Sequence, residues 1–406
     1  MFIMRFLVIS FWYLVLEERV DSVLRNWKKM KKLIRVTTAD ISLDRLISGQ
    51  LRFLNQYYEV VGVASDTGVL QHVADREGIR VVNIPMHREI SLWNDLKSLC
   101  SLYRLFRKER PHIVHANTPK GSLLSMIAAW AVRVPNRIYL VTGLRYQGAT
   151  GFMQKVLKTM ERIACRFATV VVPEGQGVKK ILIDDHICKN PSEVLHFGNI
   201  NGIDTSYFSI ESVGKSKNEI RHGLGLREDE FVFIFIGRIV RDKGMRELVS
   251  AMKRLDDKNV KLLLVGRFET ELDPLDEEDD RFLHESDRAV FAGWQSDVRP
   301  YLKAADALVF PTYREGFPNV PIQAGAMCLP SIVTDINGCN EIIEDAVNGL
   351  IVPPRDAEAL YAAMARMVDD KELYAKMSNC SREIVQSRFE QKDVWNALLN
   401  MYRMLD

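Results

Sequence analysis

The chain is predicted to be an α/β protein of two doubly wound parallel-sheet domains, and three observations point there. Short unbroken apolar runs suited to buried parallel strands recur along the sequence, each followed by a stretch with helical hydrophobic spacing. The runs fall into two series, which separates two sheets. Between them lies Gly198-Asn-Ile-Asn-Gly-Ile-Asp-Thr-Ser206, dense in turn formers and suited to a domain junction. A length of 406 residues, 47% of them hydrophobic, is ample for two such cores.

In chain order the first series reads Leu33 to Thr38, Glu59 to Ala64, Arg80 to Ile84, His112 to Ala116, Arg137 to Thr142 and Ala168 to Val172, within a domain spanning 30–205. The second reads Phe231 to Ile236, Val260 to Val265, Ala289 to Phe291, Ala307 to Phe310 and Ser331 to Thr334, within 206–384. Helical patterns follow several of these runs: Ser122 to Val132, a segment bearing Leu248, Val249, Met252 and Leu255, and Pro318 to Ala326. Ala357 to Asp406 is helical in pattern, and no internal repeat or low-complexity tract appears.

Residues 1–29 behave differently. Phe6 to Leu16 is an apolar run of eleven, too short to span a bilayer, and Glu17-Glu-Arg19 follows it instead of a small-residue cleavage site. The sequence begins afresh at Met30-Lys-Lys-Leu-Ile-Arg-Val. The extension is read either as translated upstream sequence, the preferred reading, or as an amphipathic segment resting on a membrane surface.

A net charge of +2, with no basic stripe interleaved with aromatics, argues against a nucleic-acid partner. Six cysteines lack C-x-x-C or zinc spacing, so disulfides and a structural metal are not expected and a reducing cytoplasmic location is. The acidic run Glu269 to Asp280 reads as a solvated surface insertion. No Asp-x-Asp follows a buried strand, which disfavours a metal-dependent site.

Two strand-to-helix loops carry the chemistry. Asp306-Ala-Leu-Val-Phe-Pro311 leads into Glu315-Gly-Phe-Pro-Asn-Val-Pro-Ile-Gln323, which places Glu315 at the carboxyl end of a strand and before a helix N-terminus, where open α/β sheets bind anionic ligands. Phe231 to Ile236 ends in Gly237-Arg238-Ile-Val-Arg-Asp-Lys243-Gly244, so two cations project from the second loop. Arg238 suits a bidentate grip on a diphosphate and Lys243 a point charge. The bland alternatives are a helix-capping Glu315 and solvated cations.

Together these loops resemble those of retaining nucleotide-sugar glycosyltransferases with the two-domain GT-B fold, two Rossmann-like domains facing a central cleft, and in particular the bacterial glycosyl transferases group 1 that build capsule, O-antigen and other surface glycans. The resemblance covers nearly the whole chain from Met30 onward. It implies that Arg238 and Lys243, beside Gly237, contact the donor diphosphate and that Glu315 contacts the donor sugar. Backbone N–H groups near Phe317, Pro318, Asn319 and Val320 then meet phosphate or sugar. The family's second glutamate, eight positions on, is replaced here by Gln323, which retains hydrogen bonding to a ribose but not charge. The resemblance also implies that a C-terminal helix, 385–406, crosses back to the N-terminal domain.

On the acceptor side, His112-Ile-Val-His115-Ala-Asn117-Thr-Pro-Lys120-Gly121 is a strand end feeding a helix, and it nominates Asn117 and Lys120 at the helix mouth, with His115 as ligand contact or core histidine. Family members often carry a histidine where Asn117 stands. The glycine-rich loop Thr142-Gly-Leu-Arg145-Tyr-Gln-Gly148 adds Arg145.

With the retention that the resemblance implies, and no carboxylate standing out as a covalent nucleophile, front-face substitution with phosphate-held charge is the expected route. The expected partners are a nucleotide-sugar donor, UDP favoured, a glycan or lipid-linked acceptor, and the cytoplasmic membrane leaflet through the face of Phe152 to Phe167. No cofactor is expected. Two rivals are a nucleotide-sugar 2-epimerase of the same fold and a non-catalytic partner subunit.

Overall fold

The computed structural model describes residues 30–87, 91–256, 258–269 and 273–405. The 1–29 extension and part of the acidic run lie outside the described residues. Two compact units are formed, one from the residues up to Leu140 with Thr150–Val171, the other from Val141–Ala149 with the chain from Val172 onward. The junction expected at Gly198 to Ser206 lies within the second unit.

The first sheet contains β1 (Lys32–Ala39), β2 (Glu59–Ser65), β3 (Arg80–Asn83), β4 (Ile113–Ala116), β5 (Asn136–Val141) and β6 (Val170–Pro173), ordered β3-β2-β1-β4-β5-β6. Central β1 pairs in parallel with both β2 and β4, and Leu33, Ile34 and Val36 are fully buried. Burial on both faces is what makes such strands read as continuous apolar runs.

The second sheet contains β7 (Phe231–Ile236), β8 (Val260–Val265), β9 (Ala289–Gly293), β10 (Ala307–Phe310), β11 (Ser331–Thr334) and β12 (Gly349–Val352), ordered β12-β11-β10-β7-β8-β9 with all pairings parallel. The short edge strand β12 had no counterpart in the sequence reading. Its four residues sit between Asn348 and Pro353-Pro354, and they form a strand because β11 offers a free edge to pair with.

In both sheets the strand order reverses at the centre, between β1 and β4 and between β7 and β10. At such a switch point the two neighbouring connections leave in opposite directions and open a crevice beyond the carboxyl ends of the strands. The loops after β7 and β10 flank the reversal in the second sheet. They carry Arg238 with Lys243, and Glu315, respectively.

The expected continuous helix from 385 is interrupted. Helices Lys371–Phe389 and Gln391–Met404 are separated at Glu390, whose ψ of 128° leaves the helical region. The break is held by strand-like bonds: Ile203 N–H donates to the Phe389 carbonyl at 2.8 Å and Gln391 N–H to the Ile203 carbonyl at 3.0 Å. Trp395 adds an indole N–H bond to Asn201 at 2.7 Å.

Candidate active site

The loop after β7 turns through a short 3-10 segment, Arg241–Lys243, and then through Gly244, whose φ of 73° is left-handed. A Cβ at Gly244 would stand 2.1 Å from the Pro311 carbonyl oxygen, so only glycine lets this loop approach the end of β10. That approach delivers the Lys243 ammonium onto Glu315, donating to its Oε1, with Thr312 Oγ1 within 3.4 Å of the ammonium and 3.2 Å of the same carboxylate oxygen. The Lys243 and Glu315 side chains are 14% and 21% exposed, so the pair is neither sealed in the core nor fully hydrated.

Gly316 repeats the device. A Cβ there would lie 2.1 Å from the Thr142 carbonyl oxygen and 3.1 Å from Glu174 Oε2, which presses the Glu315 loop against the segment 141–149 and the end of β6. Arg238 is placed differently. Its Nη1 donates to Glu269 Oε2 at 3.0 Å, and the side chain is about half exposed. Among the described residues, then, Lys243, Thr312 and Glu315 form one cluster, and Arg238 pairs outside it.

The donor-side residues divide by what each can offer. The Gly237 amide is committed to the Val265 carbonyl at 3.0 Å. Phe317 is a core residue whose ring meets Phe389 edge-on at 5.7 Å, leaving only its backbone for a ligand. Pro318 stands at the N-cap of the helix Asn319–Ala326 and, lacking an N–H, has only its ring and carbonyl to offer; Pro321 likewise has no N–H to give. The first-turn amides of Asn319 and Val320 remain, with the positive helix end behind them. The Asn319 carbonyl oxygen of the side chain accepts from Asn199 at 2.8 Å. Gln323, half-buried, lies one turn further along the same helix.

Two carboxyls near this loop escaped the sequence reading. Glu341 caps a neighbouring helix, accepting from the amides of Gln176 at 2.6 Å and Gly177 at 3.0 Å. Glu174 follows β6 and is 6% exposed. Burial first, then the nearby Glu315 and Glu341, pushes its carboxyl well above the usual range. Its sequence signal was present: Val-Val-Val-Pro-Glu174 is an acid at the carboxyl end of an apolar strand, the context that drew notice to Glu315. Burial and the Glu315 charge also push the Cys339 thiol up, keeping it neutral.

In the first unit, His115 is fully buried in β4 with Nδ1 2.9 Å from Arg35 Nη1. Burial, and then the guanidinium charge, holds the imidazole well below its ordinary value and therefore uncharged. Asn117 is buried immediately after β4. Lys120 was expected at an open helix mouth; instead it is buried and its Nζ donates to Asp95 at 2.8 Å. A buried ammonium requires a counterion, and Asp95 supplies it from an upstream helix, Leu92–Glu109. Arg145 is exposed on a 3-10 turn, Arg145–Gly148, which clusters with the second unit. Among the described residues no group of three His, Cys, Asp or Glu side chains is arranged to hold a metal ion.

Two reversed parallel sheets with cationic and acidic loops at the second switch point define a GT-B glycosyltransferase, and the chain belongs to the glycosyl transferases group 1 family. The family model of that name matches residues 216–384, and that of the glycosyl transferase 4-like domain matches 51–197. The chain is 36% identical to the capsular polysaccharide biosynthesis glycosyltransferase CapM of Staphylococcus aureus over 92% of this chain and 97% of that one. It is 29% identical to the UDP-Gal:alpha-D-GlcNAc-diphosphoundecaprenol alpha-1,3-galactosyltransferase of Escherichia coli, over 86% and 92%. Among solved structures, Anabaena Alr3699/HepE in complex with UDP superposes with a TM-score of 0.76 at 17% identity, covering 92% of this chain and all of that one, a likeness of fold.

Proposed function

We propose that the protein transfers a hexosyl or N-acetylhexosaminyl unit from a nucleotide-diphosphate sugar, UDP-linked, to a glycan or lipid-linked glycan acceptor in surface-polysaccharide assembly, with retention and without a metal. The observation that carries this reading is the Lys243, Thr312 and Glu315 cluster at the switch point, ahead of an amide-bearing helix N-terminus. Relatives named for capsule synthesis and for galactosyl transfer to a lipid diphosphate support the acceptor class.

In this mechanism Lys243 and Arg238 hold the diphosphate, Arg238 exchanging Glu269 for phosphate oxygens, while Glu315 orients a sugar hydroxyl. Charge grows on the leaving phosphate as the glycosidic bond lengthens. A phosphate oxygen takes the acceptor hydroxyl's proton, and the acceptor oxygen closes on the same face of the sugar. Asn117, Arg145 and the neutral His115 serve the acceptor side. Incubation with a panel of UDP- and GDP-sugars and a lipid-diphosphate glycan, read by nucleotide release and by product anomeric configuration, tests the whole reading. A metal chelator should leave turnover unchanged. Isomerised donor with no acceptor consumed would point to an epimerase, and a protein that binds donor but never turns over would point to a non-catalytic subunit.

Membrane contact is proposed through the helix Gly151–Phe167, where Phe152 is 81% exposed among Lys155, Lys158, Arg162 and Arg166. Among the described residues no helix is long and apolar enough to cross a bilayer. Sedimentation with anionic liposomes but not with neutral ones is the expected result. Equal behaviour with both would remove the idea.

A further inference from the structure

Three carboxyl groups crowd the Glu315 loop, and two of them are fully engaged. Glu315 accepts from Lys243 and lies against the Thr312 hydroxyl. Glu341 accepts from the Gln176 and Gly177 amides, and from the Gly338 amide at 3.3 Å. Glu174 differs. It is 6% exposed, its Oε2 reaches to 3.1 Å from where a Cβ of Gly316 would stand, and no described residue hydrogen-bonds its carboxyl. Only its backbone is used, the N–H donating to Val141 and the carbonyl accepting from Asn199.

We propose that Glu174 is a specificity-determining residue of the donor site, its carboxyl O–H donating a hydrogen bond to a hydroxyl of the sugar that Glu315 also contacts. The inference rests on the reading of this loop as the nucleotide-sugar site. A buried carboxyl with no cation and no amide beside it is costly to ionise, the more so with Glu315 and Glu341 facing it. Lys243 is turned to Glu315, and the Cys339 thiol is neutral. Burial and those two neighbours accordingly favour the protonated acid. A protonated acid has one O–H to give, and leaving a buried donor unused is expensive, so the group is poised for an acceptor that arrives with the ligand. A sugar hydroxyl supplies that acceptor. Adjacent hydroxyls would then meet opposite partners: Glu315 accepts from one and Glu174 donates to the next, a pattern that discriminates between sugars by hydroxyl position.

The test is titration calorimetry on the full chain with UDP, GDP, UDP-glucose, UDP-galactose, UDP-N-acetylglucosamine, UDP-N-acetylgalactosamine and GDP-mannose, for wild type, Glu174→Gln and Glu174→Ala, with melting temperatures recorded. Wild-type affinity for the preferred sugar nucleotide, relative to its free nucleoside diphosphate, should fall as pH rises from mildly acidic to alkaline, because ionisation removes the donor. Glu174→Gln retains N–H donors and should keep the affinity while losing that pH dependence. Glu174→Ala should weaken the sugar nucleotide roughly two- to tenfold and leave the free diphosphate unchanged. Glu174→Gln following the wild-type pH dependence, or Glu174→Ala binding the sugar nucleotide as wild type does, overturns the inference. If Glu174→Ala does not fold, the pH comparison between wild type and Glu174→Gln decides alone. Binding of none of these ligands by the wild type would instead overturn the donor-site reading, and this inference with it.

Discussion

Replacing Lys243 with methionine removes the ammonium and keeps the length of the stem. In the ligand-free protein the substitution leaves Glu315, among the described residues, with the Thr312 hydroxyl as its hydrogen-bond donor. Because the pair is mostly shielded, at 14% and 21% exposure, the loss is expected at about 1–3 kcal/mol, seen as a drop of a few degrees in melting temperature. Glu315→Gln in the same molecule removes the stranded charge, so the double variant should recover most of that stability. Function should not recover. A charge-assisted phosphate contact contributes about 1.5–3 kcal/mol, which is roughly ten- to a hundredfold in diphosphate affinity, with a further loss in turnover as negative charge develops on the leaving group. Thermal denaturation with and without UDP, beside nucleotide release from the preferred donor, reads both effects on the same samples. A folded Lys243→Met protein with wild-type turnover and UDP affinity would refute the assignment of this lysine to the diphosphate.

Arg238→Ala should leave the melting temperature nearly unchanged, since its Glu269 partner is on the surface, yet cut turnover at least tenfold; equal turnover by nucleotide release would remove Arg238 from the site. Gln323→Glu should change donor affinity severalfold without abolishing activity, and dead enzyme with intact fold would contradict a ribose contact. Asp40 gives the pH prediction. Burial raises its carboxyl, but the Thr67 hydroxyl at 2.5 Å and the amides of Thr67 and Val69 outweigh this and hold it below the ordinary value. A lowered carboxyl contributes stability that is present above its unfolded value and is lost as pH falls through the folded one. Asp40→Asn should therefore be less stable at neutral pH and show a shallower acid limb in denaturation; an unchanged acid limb would exclude Asp40 as its source.

Most of the fold was legible because both sheets are parallel and buried on two faces. Residues 231–236, 260–265, 307–310 and 331–334 are strands with the bounds the apolar runs implied. What failed to show was decided by partners far away in sequence. The break at Glu390 has neither proline nor glycine to announce it; it exists because Ile203 bonds to both sides of it. Lys120 has the look of a ligand contact until Asp95, on another helix, takes its charge. Glu315 and Lys243 were visible through their places at strand ends, but their mutual contact depends on the Gly244 backbone reaching Pro311, a closeness no local pattern encodes. Glu174 carries the same signature in sequence as Glu315, an acid just beyond the carboxyl end of an apolar strand.

The close approach of Gly316 to Thr142 bears on how the protein is made. The segment 141–149 leaves the ribosome well before the loop it packs against, a wait on the order of ten to thirty seconds at ordinary elongation rates. During that interval the backbone of Thr142 and Gly143 has no Gly316 loop to pack against. The second unit is thus stitched from two stretches of chain and closes only late in synthesis. A nascent chain halted before residue 316 would carry a completed first sheet with the 141–149 loop still waiting for its partner, a natural target for chaperones and for proteolysis.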